Sequence, residues 1–113
     1  MGKVPGDVKS KNIKPIIFND KVVDSIIVDL KHINYGLDKD KRYNKKKRSQ
    51  FTIDDIVTLV DRLDGLTLEN SGNDEDYDFY AVDLYFKNQK MRLVFCIENT
   101  NKNTICVITA YKR

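Results

Sequence analysis

A single histidine, His32, stands in the 113 residues, and Lys31 precedes it. Imidazole exchanges a proton near neutral pH, so His32 is the side chain suited to act as acid or base. Seven Lys or Arg residues follow within Lys39–Arg48, among them Arg42, Lys47 and Arg48. Such cations hold phosphates and stabilise the extra charge of a pentacoordinate phosphorus. Tyr35 and Tyr43 are interleaved with them and could stack on exposed bases. Near the other end of the chain Thr109 and Tyr111 are two apart, so on a strand both leave the same face. A hydroxyl and a phenol there could donate to a phosphate. Arg92 would be their cross-strand neighbour and a candidate phosphate clamp. RNA carries its own nucleophile in the 2′-OH, so a proton-transfer group and cationic stabilisers would suffice to cleave it without metal or cofactor.

Each of these residues also has a plainer reading. His32 could interact with a helix dipole, and Lys39–Arg48 could be a solvated charged loop. Thr109 and Tyr111 could be an ordinary strand pair, and Arg92 could form a rim salt bridge with Asp83. The acidic run Asp74-Glu75-Asp76 lacks the spacing of a cation-binding loop. No Gly-rich phosphate loop, nucleophile triad or Cys/His zinc pattern competes with the histidine.

The elements that must position these groups follow from periodicity. Residues 1–14 are polar and read as a tail or linker, leaving residues 15–113 as a single domain. Val22, Val23, Ile26, Ile27, Leu30 and Ile33 recur at helical spacing, which predicts a helix from about Lys21 to Asn34 capped by Asn19 or Asp20. Gly36 would stop it, and Leu37–Gln50 would be a basic loop. Thr52-x-x-Asp55 resembles a capping box for a second helix, roughly Ile53–Leu63, with Gly65 as its stop. Leu66–Glu69 reads as a short edge strand. Asp78–Lys87, Met91–Glu98 and Ile105–Arg113 form a β-meander. With Asn88-Gln89 as the turn, Phe86 faces Met91, Leu84 faces Leu93 and Val82 faces Phe95, so Asp83, Tyr85, Arg92 and Val94 share the opposite face. Asn99–Asn103 would be a five-residue loop. Placing Cys106, Ile108 and Ala110 on the apolar face puts Thr109 and Tyr111 beside Arg92 and Tyr85. The expected class is α+β, with two N-terminal helices packed on a mostly antiparallel sheet of three or four strands.

Composition sets the outer bounds. Hydrophobic residues make up 41% in alternating patterns, which argues against disorder. Net charge is +3 but segregated. Lys31–Arg48 holds eight basic residues against Asp38 and Asp40, while Asp54–Asp83 holds ten acidic residues against Arg62 alone. That asymmetry suggests a polyanion site and a separate acidic, partner-facing surface. Cys96 and Cys106, on opposite faces in this register, would be reduced thiols, with no disulfide or metal site. No apolar run is long enough to span a membrane, and no signal-peptide or myristoylation pattern is present.

The order of helical N-terminal part ending in Lys31-His32, basic stretch, second helix and meander closing on Thr109-Ala110-Tyr111 resembles the barnase/EndoU/colicin/RelE superfamily of toxin ribonucleases. It is most similar to the toxin domains of contact-dependent inhibition and to colicin-type tRNA nucleases. In the colicin-type pattern a Lys-x-Lys-His segment supplies the histidine and phosphate-binding lysines. Asp29 stands where the first lysine would be, and Arg42–Arg48 could substitute for it. The resemblance implies a RelE/barnase-like fold and a metal-independent, cofactor-free endoribonuclease acting on tRNA. It implies His32, Lys31, Thr109, Tyr111 and Arg92 at the catalytic centre, with Arg42, Lys47, Arg48 and Tyr85 on the RNA. It also implies a monomer that acts in the bacterial cytoplasm after delivery within a larger secreted protein, and a cognate immunity protein that neutralises it. A non-catalytic nucleic-acid-binding module, or an immunity or antitoxin protein using the acidic surface, are the alternatives.

Overall fold

A computed structural model describes residues 8–30, 33, 35–37, 43–45 and 51–112. The strands are β1 (Val8–Phe18), β2 (Lys21–Asp29), β3 (Tyr35–Leu37) and β4 (Tyr43–Lys45). The helix α1 (Ile53–Asp61) follows, and then β5 (Gly72–Asn73), β6 (Tyr77–Phe86), β7 (Gln89–Glu98) and β8 (Asn101–Lys112). One sheet has six strands in the order β1-β2-β8-β7-β6-β5. Within it β2 and β8 run parallel, and every other neighbouring pair is antiparallel. β3 and β4 form a separate two-stranded ribbon.

This architecture overturns the expectation of two helices on a three- or four-stranded sheet. The segment expected as the first helix is strand through Asp29. Its apolar positions fit a helical period, but Val22, Val23, Ile26, Ile27 and Val28 are all β-branched, and β-branched side chains favour a pleated surface. Asn19 and Asp20, expected as helix caps, instead turn a hairpin that pairs Phe18 with Lys21. Their φ values of 51° and 62° are the paired positive values that a two-residue hairpin turn uses to match strand twist. β1 begins at Val8, so residues 8–14, read above as tail, belong to a strand, and Val8–Asn12 pair with β2.

The second helix forms as expected. The Thr52 hydroxyl accepts from the Asp55 amide at 3.2 Å, and the Asp55 carboxylate accepts from the Thr52 amide at 3.0 Å. Together these bonds satisfy two N-terminal donors. Gly65 sits at φ 82° beyond the helix, and its amide donates to the Ile17 carbonyl. Leu66–Glu69 is not a strand; the short edge strand is β5. Part of the expected basic loop is the β3–β4 ribbon.

The meander forms with its register moved by two. Lys87-Asn88 is the turn, at φ 51° and 62°, so Phe86 pairs with Gln89, Leu84 with Met91, Val82 with Leu93 and Tyr80 with Phe95. A slip of two keeps every side chain on its face, because the strand period is two. Asn99-Thr100 is a tight turn between Glu98 and Asn101, where a five-residue loop was expected. In β8 Val94 pairs with Thr109 and Phe95 with Val107, leaving Ile108 as the extra residue of a bulge. The bulge places Ile105, Val107 and Ala110 in the core and Cys106 on the other face. Cys96 and Cys106 are therefore direct cross-strand partners, where opposite faces were expected; both are free thiols.

The core lies on one face of the sheet. Ile56, Leu59, Val60 and Leu63 pack with Phe18, Val23, Ile26, Leu93, Phe95 and Ile105. Tyr80 stacks on Phe95 at 5.2 Å, and Phe18 meets both rings edge-on. Ile33 is also fully buried in this cluster.

Candidate functional site

The face of β6, β7 and β8 away from α1 carries the described candidate residues. On β7, Met91, Leu93 and Phe95 are buried, so Lys90, Arg92 and Val94 point the other way. Asp83 pairs with Arg92, and Arg92 pairs with Tyr111, making one row across three adjacent strands. Val94 pairs with Ala81 on one side and Thr109 on the other, which places Thr109 in the next row. On the far side, Tyr85 pairs with Lys90. Direct cross-strand neighbours stand about 4.5–5.5 Å apart at Cα, so the row is contiguous.

The Arg92 Nε donates to Asp83 Oδ1 at 2.8 Å, and the Lys90 ammonium lies 4.0 Å from Asp83 Oδ2. The bond to Asp83 raises the Arg92 pKa above its ordinary value; the Asp83 charge and Tyr111 add to this, and partial desolvation opposes it. Arg92 therefore forms the salt bridge that was its plainer reading. Tyr85 is widely exposed, at 68%, and Tyr111 is exposed.

Thr109, Tyr111 and Arg92 come together as expected. Tyr85 does not adjoin Tyr111: it stands on β6, with β7 between them. His32, Lys31, Arg42, Lys47 and Arg48 lie outside the described residues. The chain on either side of the first two is described: Leu30 packs against the core and Ile33 is within it. β2 runs parallel to β8, with Val28 beside Val107. Both strands therefore travel toward the end of the sheet that carries Thr109 and Tyr111. Asp83 and Lys90 were not singled out as site residues from sequence. The signal for Asp83 was its position opposite Arg92, and for Lys90 it was the hairpin register, which misplacing the turn obscured.

Elsewhere the polar groups have structural duties. Asp74 Oδ1 accepts from the amides of Asp76 and Tyr77 at 2.8 Å each, so part of the acidic run closes a turn. A cleft of about 110 Å³ opens at the opposite end of the sheet, among Phe18, Lys21, Tyr80 and Lys102. There the neighbouring Lys102 amine lowers the Lys21 pKa from its ordinary value, by hydrogen bond and charge. Among the described residues no helix is long and apolar enough to cross a membrane. Compared with family models, curated proteins and solved structures, the chain matches none.

Proposed function

We propose that the chain is a metal-independent endoribonuclease of the toxin kind, acting on tRNA in the bacterial cytoplasm and neutralised by a cognate immunity protein. The observation that carries this reading is the Asp83–Arg92–Tyr111 row with Thr109 beside it. This row lies at the end of the sheet toward which β2 leads the chain into Lys31, His32 and the basic segment. The helical N-terminal part that contributed to the family resemblance is a β-hairpin, so the resemblance now stands on Lys31-His32, Thr109-x-Tyr111 and the meander.

The chemistry is an in-line transfer. The 2′-oxygen attacks phosphorus as its proton passes to a base, and the 5′-oxygen leaves with a proton from an acid. A 2′,3′-cyclic phosphate remains on one fragment and a 5′-hydroxyl on the other. His32 serves in proton transfer. Lys31, Arg92, Tyr111 and Thr109 hold the phosphoryl oxygens, where fixed donors are most effective against developing charge. Arg42, Lys47, Arg48 and Tyr85 hold the strand.

The test is incubation of purified protein with total tRNA, beside His32→Ala and Tyr111→Phe. Discrete fragments from the parent, absent with His32→Ala and reduced with Tyr111→Phe, support the proposal. Equal cleavage by parent and His32→Ala removes it. The Asp83 carboxylate occupies Arg92 and weakens it as a clamp on the transition state, which favours a second reading, a non-catalytic RNA-binding module that uses the basic segment Lys39–Arg48. That reading predicts steeply salt-dependent binding without turnover.

A further inference from the structure

We propose that the cleft at the end of the sheet away from Thr109 and Tyr111 binds inorganic phosphate as the hydrogenphosphate dianion, held by the Lys21 and Lys102 amines, the Tyr80 hydroxyl and the Asp78 carboxylate. The site is separate from the face proposed for RNA and does not rest on that reading.

Topology gathers the cations. β2 and β8 are parallel neighbours, with Ser25 beside Thr104, so both begin at the same end of the sheet. Lys21 opens β2 and Lys102 stands at the start of β8. Both line the cleft of about 110 Å³, with Phe18 and Ile97 as apolar walls. A space of that size has room for about three or four waters at about 30 Å³ each, which suits a small oxyanion. Among the described residues neither amine is in an ion pair. Two ammonium groups on one small cleft repel each other. The lowered Lys21 pKa, caused first by the hydrogen bond to Lys102 and then by its charge, agrees with that placement. An anion between the amines replaces the repulsion with charge-assisted hydrogen bonds.

The buried wall carries a third donor. Tyr80 lines the cleft and is only 6% exposed. Its oxygen accepts from Asn19 Nδ2 at 3.2 Å. Leu68 settles which way the Asn19 amide faces: Oδ1 accepts from the Leu68 amide at 2.7 Å, and Nδ2 donates to the Leu68 carbonyl at 3.0 Å. An amide nitrogen cannot accept, so the phenol keeps its own hydrogen. No acceptor for that hydrogen stands among the described residues. An oxyanion in the cleft supplies one.

Asp78 decides which oxyanion. It lines the same cleft, is half-buried, and its carboxylate accepts no hydrogen bond among the described residues. An ionised carboxylate can only accept. Sulfate carries no proton near neutral pH, so Asp78 repels it. Hydrogenphosphate keeps one O–H, which donates to Asp78 while its other oxygens accept from Lys21, Lys102 and Tyr80. A phosphate monoester loses that proton above about pH 6, and an RNA phosphodiester has none. The site therefore selects free phosphate.

The experiment titrates inorganic phosphate, sulfate and methyl phosphate into the isotopically labelled full chain at slightly alkaline pH and constant ionic strength, followed by NMR. Phosphate should give saturable shifts at Lys21, Lys102 and Tyr80, and should bind at least about tenfold more tightly than sulfate or methyl phosphate. Lys21→Met and Lys102→Met, at exposed positions, should each weaken phosphate about tenfold, and so should Tyr80→Phe, which keeps the ring. Lys87→Met, which removes an equal charge elsewhere, should change it by less than about twofold. Asp78→Asn should erase the preference for phosphate over sulfate. No saturable shift, equal binding of phosphate and sulfate by the parent, or a loss in Lys87→Met equal to that in Lys102→Met would each overturn the proposal. Because the lysine variants alter only exposed side chains, they decide the matter even if Tyr80→Phe does not fold.

Discussion

Replacing Asn19 tests how the β1–β2 hairpin is tied to the rest of the fold. Asn19 sits at φ 51°, and its side chain makes three hydrogen bonds. Nδ2 donates to the Leu68 carbonyl at 3.0 Å and to the Tyr80 hydroxyl at 3.2 Å, and Oδ1 accepts from the Leu68 amide at 2.7 Å. Those bonds fasten Leu68 to the hairpin, and all are partly buried. Each is worth about 1 kcal/mol net, so Asn19→Gly, which keeps the backbone free to turn, should cost about 3 kcal/mol. Asn19→Ala loses the same bonds and, unlike Gly, keeps a Cβ in the left-handed region, for about 1 kcal/mol more. A domain of this size loses about 4 °C of Tm per kcal/mol, so the drops should be about 12 °C for Gly and about 16 °C for Ala. Urea unfolding gives the energies directly, and the m-value should not change. A Gly variant within about 0.5 kcal/mol of the parent would mean that the bonds contribute little. A Gly variant no better than Ala would mean that the positive φ carries no cost.

Three further outcomes follow from particular contacts. Burial raises the Cys96 pKa to about 12 from an ordinary 9.0, with Cys106 adding to the shift. Above pH 9 the unfolded thiol therefore ionises while the folded one stays neutral. The unfolded state then binds fewer protons, so this group's contribution to stability falls as pH rises from about 9 to about 12. Stability against pH for Cys96→Ala should show a shallower alkaline decline than the parent; an identical decline would remove burial as the cause. The Ser25 and Thr104 hydroxyls lie 2.6 Å apart and join parallel strands β2 and β8. Thr104→Val leaves Ser25 without that partner and should cost about 1–2 kcal/mol in urea unfolding, whereas a neutral result would indicate that water replaces it. Phe95 is fully buried between Phe18 and Tyr80, so Phe95→Ala should destabilise by about 3–5 kcal/mol, read as the shift in urea midpoint.

The parts of the fold that sequence revealed were those where local chemistry and tertiary packing agree. Thr52 and Asp55 form their capping box because both partners lie within one turn. The meander strands alternate clearly, so their faces survived a misplaced turn: Lys87, not Gln89, shares the turn with Asn88, and a lysine at positive φ carries no turn signal in its type. The N-terminal hairpin was hidden because Val22, Val23, Ile26, Ile27 and Leu30 satisfy a helical period. They can do so in a strand because the β1–β2 register shifts between Asn12 and Ile16, which breaks simple alternation. Cys106 was misplaced for the same reason, since the bulge at Ile108 changes parity within β8. Arg92, Thr109 and Tyr111 were legible as one face because each neighbours a buried apolar residue, Leu93 or Ala110. The Asp83–Arg92 salt bridge was legible as the plainer reading of Arg92; that the two stand directly opposite each other appears only when β6 and β7 are in their true register.

The chemical nature of the ends left on cleaved tRNA bears most directly on the proposed function. Purified protein is incubated with tRNA in EDTA, beside His32→Ala, and the fragment termini are identified by mass. Attack by the 2′-OH predicts 2′,3′-cyclic phosphate and 5′-hydroxyl ends, and their loss with His32→Ala. Intact tRNA, or fragments with 5′-phosphate ends, would exclude that mechanism for this chain.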